Sequence, residues 1–141
     1  MILSQRSRSS TVERKGDWVY KCQPKHLADN EIYALRAMYP SGYVPFAEQV
    51  NIETIRMEYL HAAPVADTAA FMAHYEPLLS AMEQAGLRHG DLTEYAVFAV
   101  DSKPLVIDWA ESRLWDDPRR DKRPEGDRYW LQMTMRKLCE K

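Results

Sequence analysis

The chain is poor in the features that mark several functional classes. It has only two cysteines in 141 residues, Cys22 and Cys139. They form no CxxC pair and share no metal-ligand spacing, so neither a zinc site nor the disulfide framework of a small secreted domain is in view. Whether the two pair with each other is left open by sequence, and a reducing cytoplasm is the expected compartment. No apolar run approaches the roughly 20 residues needed to span a bilayer, and the stretch from Met1 to Arg6 lacks the apolar core of a signal peptide. Internal repeats and low-complexity segments are missing. So is a dominant charge: 19 basic and 21 acidic residues leave a formal net charge of −2. That balance gives no whole-chain reason to expect a nucleic acid or a membrane surface as partner. The one basic run, Arg119, Arg120, Lys122 and Arg123, is interrupted by Asp121 and flanked by Asp116, Asp117 and Glu125. It reads as a solvated loop.

What is present suffices for one α+β domain, since 45% of the residues are apolar. Ser10–Arg14 and Asp17–Lys21 flank the turn signal Lys15-Gly16-Asp17 and predict a β-hairpin. Alternation places Val19 and Lys21 on one face and Trp18 and Tyr20 on the other. A helix capped by Asp29 or Asn30 should run to about Tyr39, with Glu31 in its first turn and Ile32, Leu35 and Met38 as its apolar stripe. Pro40-Ser41-Gly42 ends it, and strands follow near 43–50 and 53–59. Asp67 can cap a helical stretch from Thr68 to Gln84 that Pro77 kinks or divides. Beyond Gly86 come His89-Gly90-Asp91 and a short hairpin, Val97–Val100 and Leu105–Ile107, turning at Asp101-Ser102-Lys103. A polar loop over 116–126 leads to a last helix, with Asp127 as its cap.

Two carboxylates stand out. Asp91 follows a helix, Asp108 ends an apolar strand, and a tight hairpin joins them, so both can reach one cleft. Phosphoryl transfer uses such a pair, one to orient or deprotonate the attacking hydroxyl and one to bind magnesium. No Ser-His-Asp or Cys-His arrangement competes with it, and His61 and His74 have no partner at metal-site spacing.

His89-Gly90-Asp91-Leu92-Thr93, a hairpin, then Ile107-Asp108-Trp109-Ala110-Glu111-Ser112 resembles the catalytic and metal-binding loops of the protein-kinase-like superfamily. The flavour is that of its RIO-type and aminoglycoside-phosphotransferase branches. Upstream, Lys21 resembles the strand lysine that holds nucleotide phosphates, and Glu31 the helix glutamate that pairs with it. Met57-Glu58-Tyr59-Leu60 resembles the adenine hinge, with Glu58 and Leu60 as its backbone contacts. The stretch from Ser7 to Val12, with Ser9 and Ser10 at its centre, resembles a phosphate-covering loop in serine form. Asp127 resembles the aspartate that buttresses the catalytic loop, and His89 a loop-bracing histidine.

The resemblance implies a reduced two-lobed kinase-like fold: a small antiparallel sheet with one helix over about 1–60, a hinge at 57–60, and a mainly helical lobe with the catalytic-loop hairpin over about 61–141. It implies ATP and Mg2+ as cofactors and transfer to an acceptor hydroxyl, a protein Ser or Thr ahead of a small molecule. The pattern breaks in three places. Ala96 stands five residues after Asp91, where kinases carry a metal-binding asparagine; Thr93, Glu94 and Glu111 are the nearby oxygen donors. The phosphate loop has no glycine. The part after Asp108 is short, so a homodimer or partner protein is expected to complete the acceptor platform. Ala96 also opens the alternative of a pseudokinase, a nucleotide- or partner-binding regulatory module with little turnover.

Overall fold

In the computed structural model, which describes residues 2–7, 10–119 and 125–140, the chain begins with five antiparallel strands. They are β1 (Ile2–Ser7), β2 (Ser10–Lys15), β3 (Trp18–Cys22), β4 (Ala47–Asn51) and β5 (Thr54–Glu58), in the order β1-β2-β3-β5-β4. Helix α1 (Lys25–Met38) links β3 to β4. Lys15 pairs with Trp18 across Gly16-Asp17, where Gly16 takes φ +62°, a conformation that only glycine adopts without penalty. The predicted hairpin is therefore present, with its second strand one residue later. β1 adds an edge strand that the sequence pattern did not announce.

Helix α1 starts earlier than expected. Pro24 occupies the N-cap with φ −53°, and its carbonyl accepts the N–H groups of Leu27 and Ala28, each at 3.0 Å. Proline is pre-set for a helix entrance and lacks an N–H that would go unmet there. Asp29 and Asn30 consequently lie inside the helix, and neither caps it. Asp29 pairs with Lys25 one turn back. Glu31 is not in the first turn; it lies on the buried face with Ala28, Ile32, Leu35 and Met38. A one-turn 3-10 segment, Tyr39–Ser41, and Gly42 at φ +79° end the helix.

The second half holds α2 (Thr68–Met72), α3 (Tyr75–Gln84), α4 (Asp127–Cys139) and two small ladders. Asp67 caps α2, accepting the N–H of Ala70 at 3.0 Å. The 68–84 stretch is divided as expected, but the break falls at Ala73-His74. Pro77 lies in the first turn of α3, where a missing N–H is harmless. One ladder pairs β6 (Leu87–Arg88) with β9 (Arg113–Leu114). The other is the hairpin β7 (Val97–Val100) and β8 (Lys103–Val106), closed by Asp101 and Ser102, both at positive φ. That is the backbone a two-residue type I′ turn requires. At α4, Gly126 takes the cap position and Asp127 is the first helical residue, its side chain engaged elsewhere.

One core runs through both halves, from Ile32, Leu35 and Ile55 to Phe71, Leu78, Trp109, Leu131 and Met135. Both cysteines are free thiols. Among the described residues no helix is long and apolar enough to cross a membrane.

Candidate active site

Alternation along β3 turns Lys21 away from solvent, on the side that carries Val19. Lys21 is only 6% exposed. Its Nζ lies 2.9 Å from Glu31 Oε1 and 3.4 Å from Asp108 Oδ1. Burial is the largest single influence on this ammonium and acts to lower its pKa. The charges of Glu31 and Asp108, with their hydrogen bonds, together outweigh it, and the net direction is upward. A buried lysine survives as a cation here because two carboxylates surround it.

Glu31 is fully buried and saturated with donors. Oε1 accepts from Lys21 and from Gln23 Nε2, the latter at 2.8 Å. Oε2 accepts the backbone N–H of Trp109 at 3.0 Å. The carboxylate thus ties three chain segments together: the end of β3, helix α1 and the residue after Asp108. A buried charge is tolerable when every lone pair of consequence is met this way.

The two loops singled out in the sequence meet at His89, which is 1% exposed. Its Nδ1 accepts the N–H of Asp91 at 3.1 Å, and its Nε2–H donates to the Ile107 carbonyl at 2.8 Å. A backbone donor on one nitrogen and a backbone acceptor on the other fix the neutral Nε2–H tautomer. The imidazole spans the gap between Asp91 and the residue preceding Asp108, and its ring packs edge-on to Trp109. Asp127 receives the N–H groups of His89 and Gly90, one on each oxygen and each at 2.8 Å. Asp108 has φ +63°, in the left-handed region that a short polar side chain tolerates best among non-glycine residues.

A cleft of about 720 Å³, open mouth included, opens in front of Lys21 and Asp108. Val12 and Val19 line it together with Met57, Phe98 and Ile107. Its inner wall is Met57-Glu58-Tyr59-Leu60. The Glu58 and Tyr59 N–H groups are engaged, to the Phe46 and Asp17 carbonyls. The Leu60 N–H has no bond among the described residues. An apolar slot with a few polar groups at one end is the usual form of a small-molecule site.

Of the expected residues, Lys21, Glu58, Leu60 and Asp108 line the cleft, and Glu31 stands directly behind Lys21. Ser10 is buried at the start of β2, while Ser9 lies outside the described residues. Asp91 is half-buried on its loop and is not part of the cleft wall; only Asp108 brings its carboxylate there. Glu111 lines a separate polar hollow beside α1, and Glu94 a mainly apolar hollow that reaches Leu138 of α4. Among the described residues no three His, Cys, Asp or Glu side chains gather into a metal cage. Magnesium asks for less: one or two carboxylates, waters and substrate phosphates. Asp108 beside Lys21 fits that requirement for a single ion.

Three groups were not foreseen as site residues. Gln23 and the Trp109 N–H complete the shell of Glu31, and Asn30 donates from Nδ2 to the carbonyls of Ala110 and Ser112, each at 2.7 Å. A glutamate in register with Ala28, Leu35 and Met38 was the available signal for a buried acid on α1. The backbone partners of Glu31 and Asn30 leave no mark in sequence.

Comparison with known proteins agrees with this fold. The Rio2 kinase from Chaetomium thermophilum superposes with a TM-score of 0.68 at 19% identity, covering 99% of this chain and 56% of that one. Its ADP/Mg2+-phosphoaspartate complex gives 0.65 at 19% identity, over 97% and 53% of the two chains. The crystal structure of WbdD gives 0.62 at 16%, over 99% and 45%. The chain thus spans about half the length of these structures. No curated protein gives a match. The family model of the RIO domain matches residues 3–127. The chain therefore belongs to the RIO-domain family, a branch of the atypical protein-kinase-like superfamily of phosphotransferases.

Proposed function

We propose that this chain binds ATP with Mg2+ in the Lys21–Asp108 cleft and transfers the terminal phosphoryl group to a hydroxyl, a protein Ser or Thr in the first instance. The observation that carries the proposal is the buried Glu31–Lys21–Asp108 constellation at the end of an apolar slot. The slot would take the purine against Val12, Val19, Phe98 and Ile107, with Glu58 and Leu60 offering backbone groups to its edge. Residues 1–60 and 61–141 would then act as two lobes hinged at 57–60. The Chaetomium Rio2 kinase, crystallised with ADP and Mg2+, supports nucleotide and metal use by analogy.

In this proposal Lys21 holds phosphate oxygens and Glu31 fixes the ammonium. Asp108 would carry the metal, which on binding supplies charge neutralisation across the phosphates. Asp91 takes the acceptor proton as the new O–P bond forms and the bond from the γ-phosphorus to ADP breaks. Asp91 stands outside the cleft wall, as befits a group that meets an acceptor entering from solvent. His89 and Asp127 keep its loop in place.

A second reading, a nucleotide-binding module with little turnover, is favoured by one observation. Ala96 is 1% exposed and offers no oxygen at the position of the metal-binding asparagine. A thermal-shift titration with ATP, with and without Mg2+, tests binding, because a ligand held only by the native state must stabilise it, by about 2.7 kcal/mol at a hundredfold excess over Kd. Turnover that disappears in Asp91→Asn and Asp108→Asn supports the phosphotransferase. Binding without turnover supports the module. No shift with either ligand sinks both.

A further inference from the structure

Helix α1 presents two adjacent side chains to the backbone that follows Asp108. Glu31 accepts the Trp109 N–H. Asn30 donates both hydrogens of its amide, one to the Ala110 carbonyl and one to the Ser112 carbonyl, each at 2.7 Å. Two acceptor partners fix which end of the amide faces the loop. Within the loop, Ser112 N–H closes a turn onto the Trp109 carbonyl at 3.0 Å. Three backbone groups of residues 109–112 thus end on one turn of α1.

The need for such a clamp lies at Asp108. Its φ of +63° is unfavourable for a non-glycine residue and persists only where the flanking chain dictates it. On the upstream side Ile107 is held through its N–H to the Ala96 carbonyl and through its carbonyl to His89. On the downstream side Glu31 and Asn30 do the holding. Asparagine is also a poorer helix former than alanine. A role confined to building α1 therefore predicts that Asn30→Ala is neutral or stabilising.

We infer that Asn30 is a positioning residue: it locks the 109–112 backbone to α1, and so sets the pose in which Asp108 offers its carboxylate to a metal–nucleotide complex. This rests on the proposed nucleotide site, and it extends it. The helix that holds Lys21 through Glu31 holds the metal-side loop through Asn30, so any displacement of α1 releases both together.

The test uses the full chain in four forms: wild type, Asn30→Ala, the near-isosteric Asn30→Asp, and Tyr33→Ala as a control on the exposed face of the same helix. Hydrogen exchange is followed by mass spectrometry, and ADP affinity by calorimetry in EDTA and in Mg2+. Both Asn30 variants should raise exchange over 109–114 by about tenfold, with 31–38 unchanged. ADP affinity in EDTA should stay within about twofold of wild type. The Mg2+-dependent tightening should fall by about tenfold, the scale seen when a group that orients a metal ligand is removed. Unchanged exchange over 109–114, or a full Mg2+ effect in either variant, overturns the inference. If Asn30→Ala does not fold, Asn30→Asp decides it. If wild type binds no ADP under either condition, the nucleotide reading falls, and with it the part of the inference that concerns Asp108; the exchange data still decide the clamp.

Discussion

The Glu31 carboxylate accepts the backbone N–H of Trp109, a residue 78 positions later in the chain, at 3.0 Å. The bond is buried, and the opposite oxygen holds Lys21 and Gln23. One side chain therefore sets the distance between the β3 cation and the loop that carries Asp108.

Removing that carboxylate leaves the Gln23 amide and the Trp109 N–H without this acceptor and Lys21 with Asp108 alone. Glu31→Ala should lower unfolding free energy by about 3–5 kcal/mol, the range for breaking a buried ion pair from one side. Glu31→Gln retains an acceptor oxygen and the volume, so its loss should be smaller. Urea unfolding of the three proteins checks the order. A loss below about 1 kcal/mol for the alanine variant would mean that the shell is not a stabilising unit.

Lys21 carries a stated pH dependence. Its native pKa is raised, with burial opposing and the Glu31 and Asp108 charges prevailing. A cation whose pKa is higher in the native state stabilises that state fully below its unfolded value of about 10.4, and the contribution fades as pH rises through the native value. The stability gap between wild type and Lys21→Met should be level from about pH 6 to 9 and shrink above about 10.5. Urea titrations across that span would show it, and a gap that widens in alkali would contradict the sign.

Asp127 braces the 89–91 loop through two charge-assisted bonds, from the His89 and Gly90 N–H groups. Each such bond contributes about 1.5–3 kcal/mol. Asp127→Ala should therefore cost about 3 kcal/mol or more, and Asp127→Asn, which keeps one acceptor, about half as much. Amide exchange at 89–91 should accelerate in the same order. Fast exchange confined to α4 would instead assign Asp127 to helix initiation, the role its place in the sequence suggests.

The parts of this arrangement that sequence exposed are those carried by side-chain pattern. Val19 and Lys21 share a face because a strand alternates, and that face is the cleft. The apolar stripe Ile32, Leu35 and Met38 fixed the buried side of α1, and the paired aspartate loops fixed the hairpin between them. What stayed hidden depends on backbone groups. Pro24 starts α1 through its own φ and carbonyl, so the polar residues at 29 and 30 offered a better cap signal than the true entrance did. The β6–β9 ladder is two residues long on each side, too short for any alternation to register. Asn30 reads as a cap because sequence cannot show that carbonyls eighty residues away will meet its amide. Asp91 and Asp108 were expected to reach one cleft; that His89 would join their two loops through its ring nitrogens, with Asp108 lining the cleft beside Lys21, had no signal in the spacing.

Ala96 offers the test that separates the two functional readings. It sits in the core of the loop, its N–H donating to the Thr93 carbonyl and its own carbonyl accepting from Ile107. An asparagine there would add a side-chain oxygen at the position where kinases carry their metal-binding asparagine. The extra volume in a packed site should cost about 1–3 kcal/mol. If phosphoryl transfer is limited by a loosely held metal, Ala96→Asn should raise Mg2+-dependent ATP turnover by about tenfold despite that loss, and adding Asp108→Asn should abolish the gain. Product formation measured beside ADP affinity decides the matter. Tighter Mg2+-dependent binding with no faster turnover would place the limit on the acceptor side, and it would favour a nucleotide-responsive binding module over an enzyme.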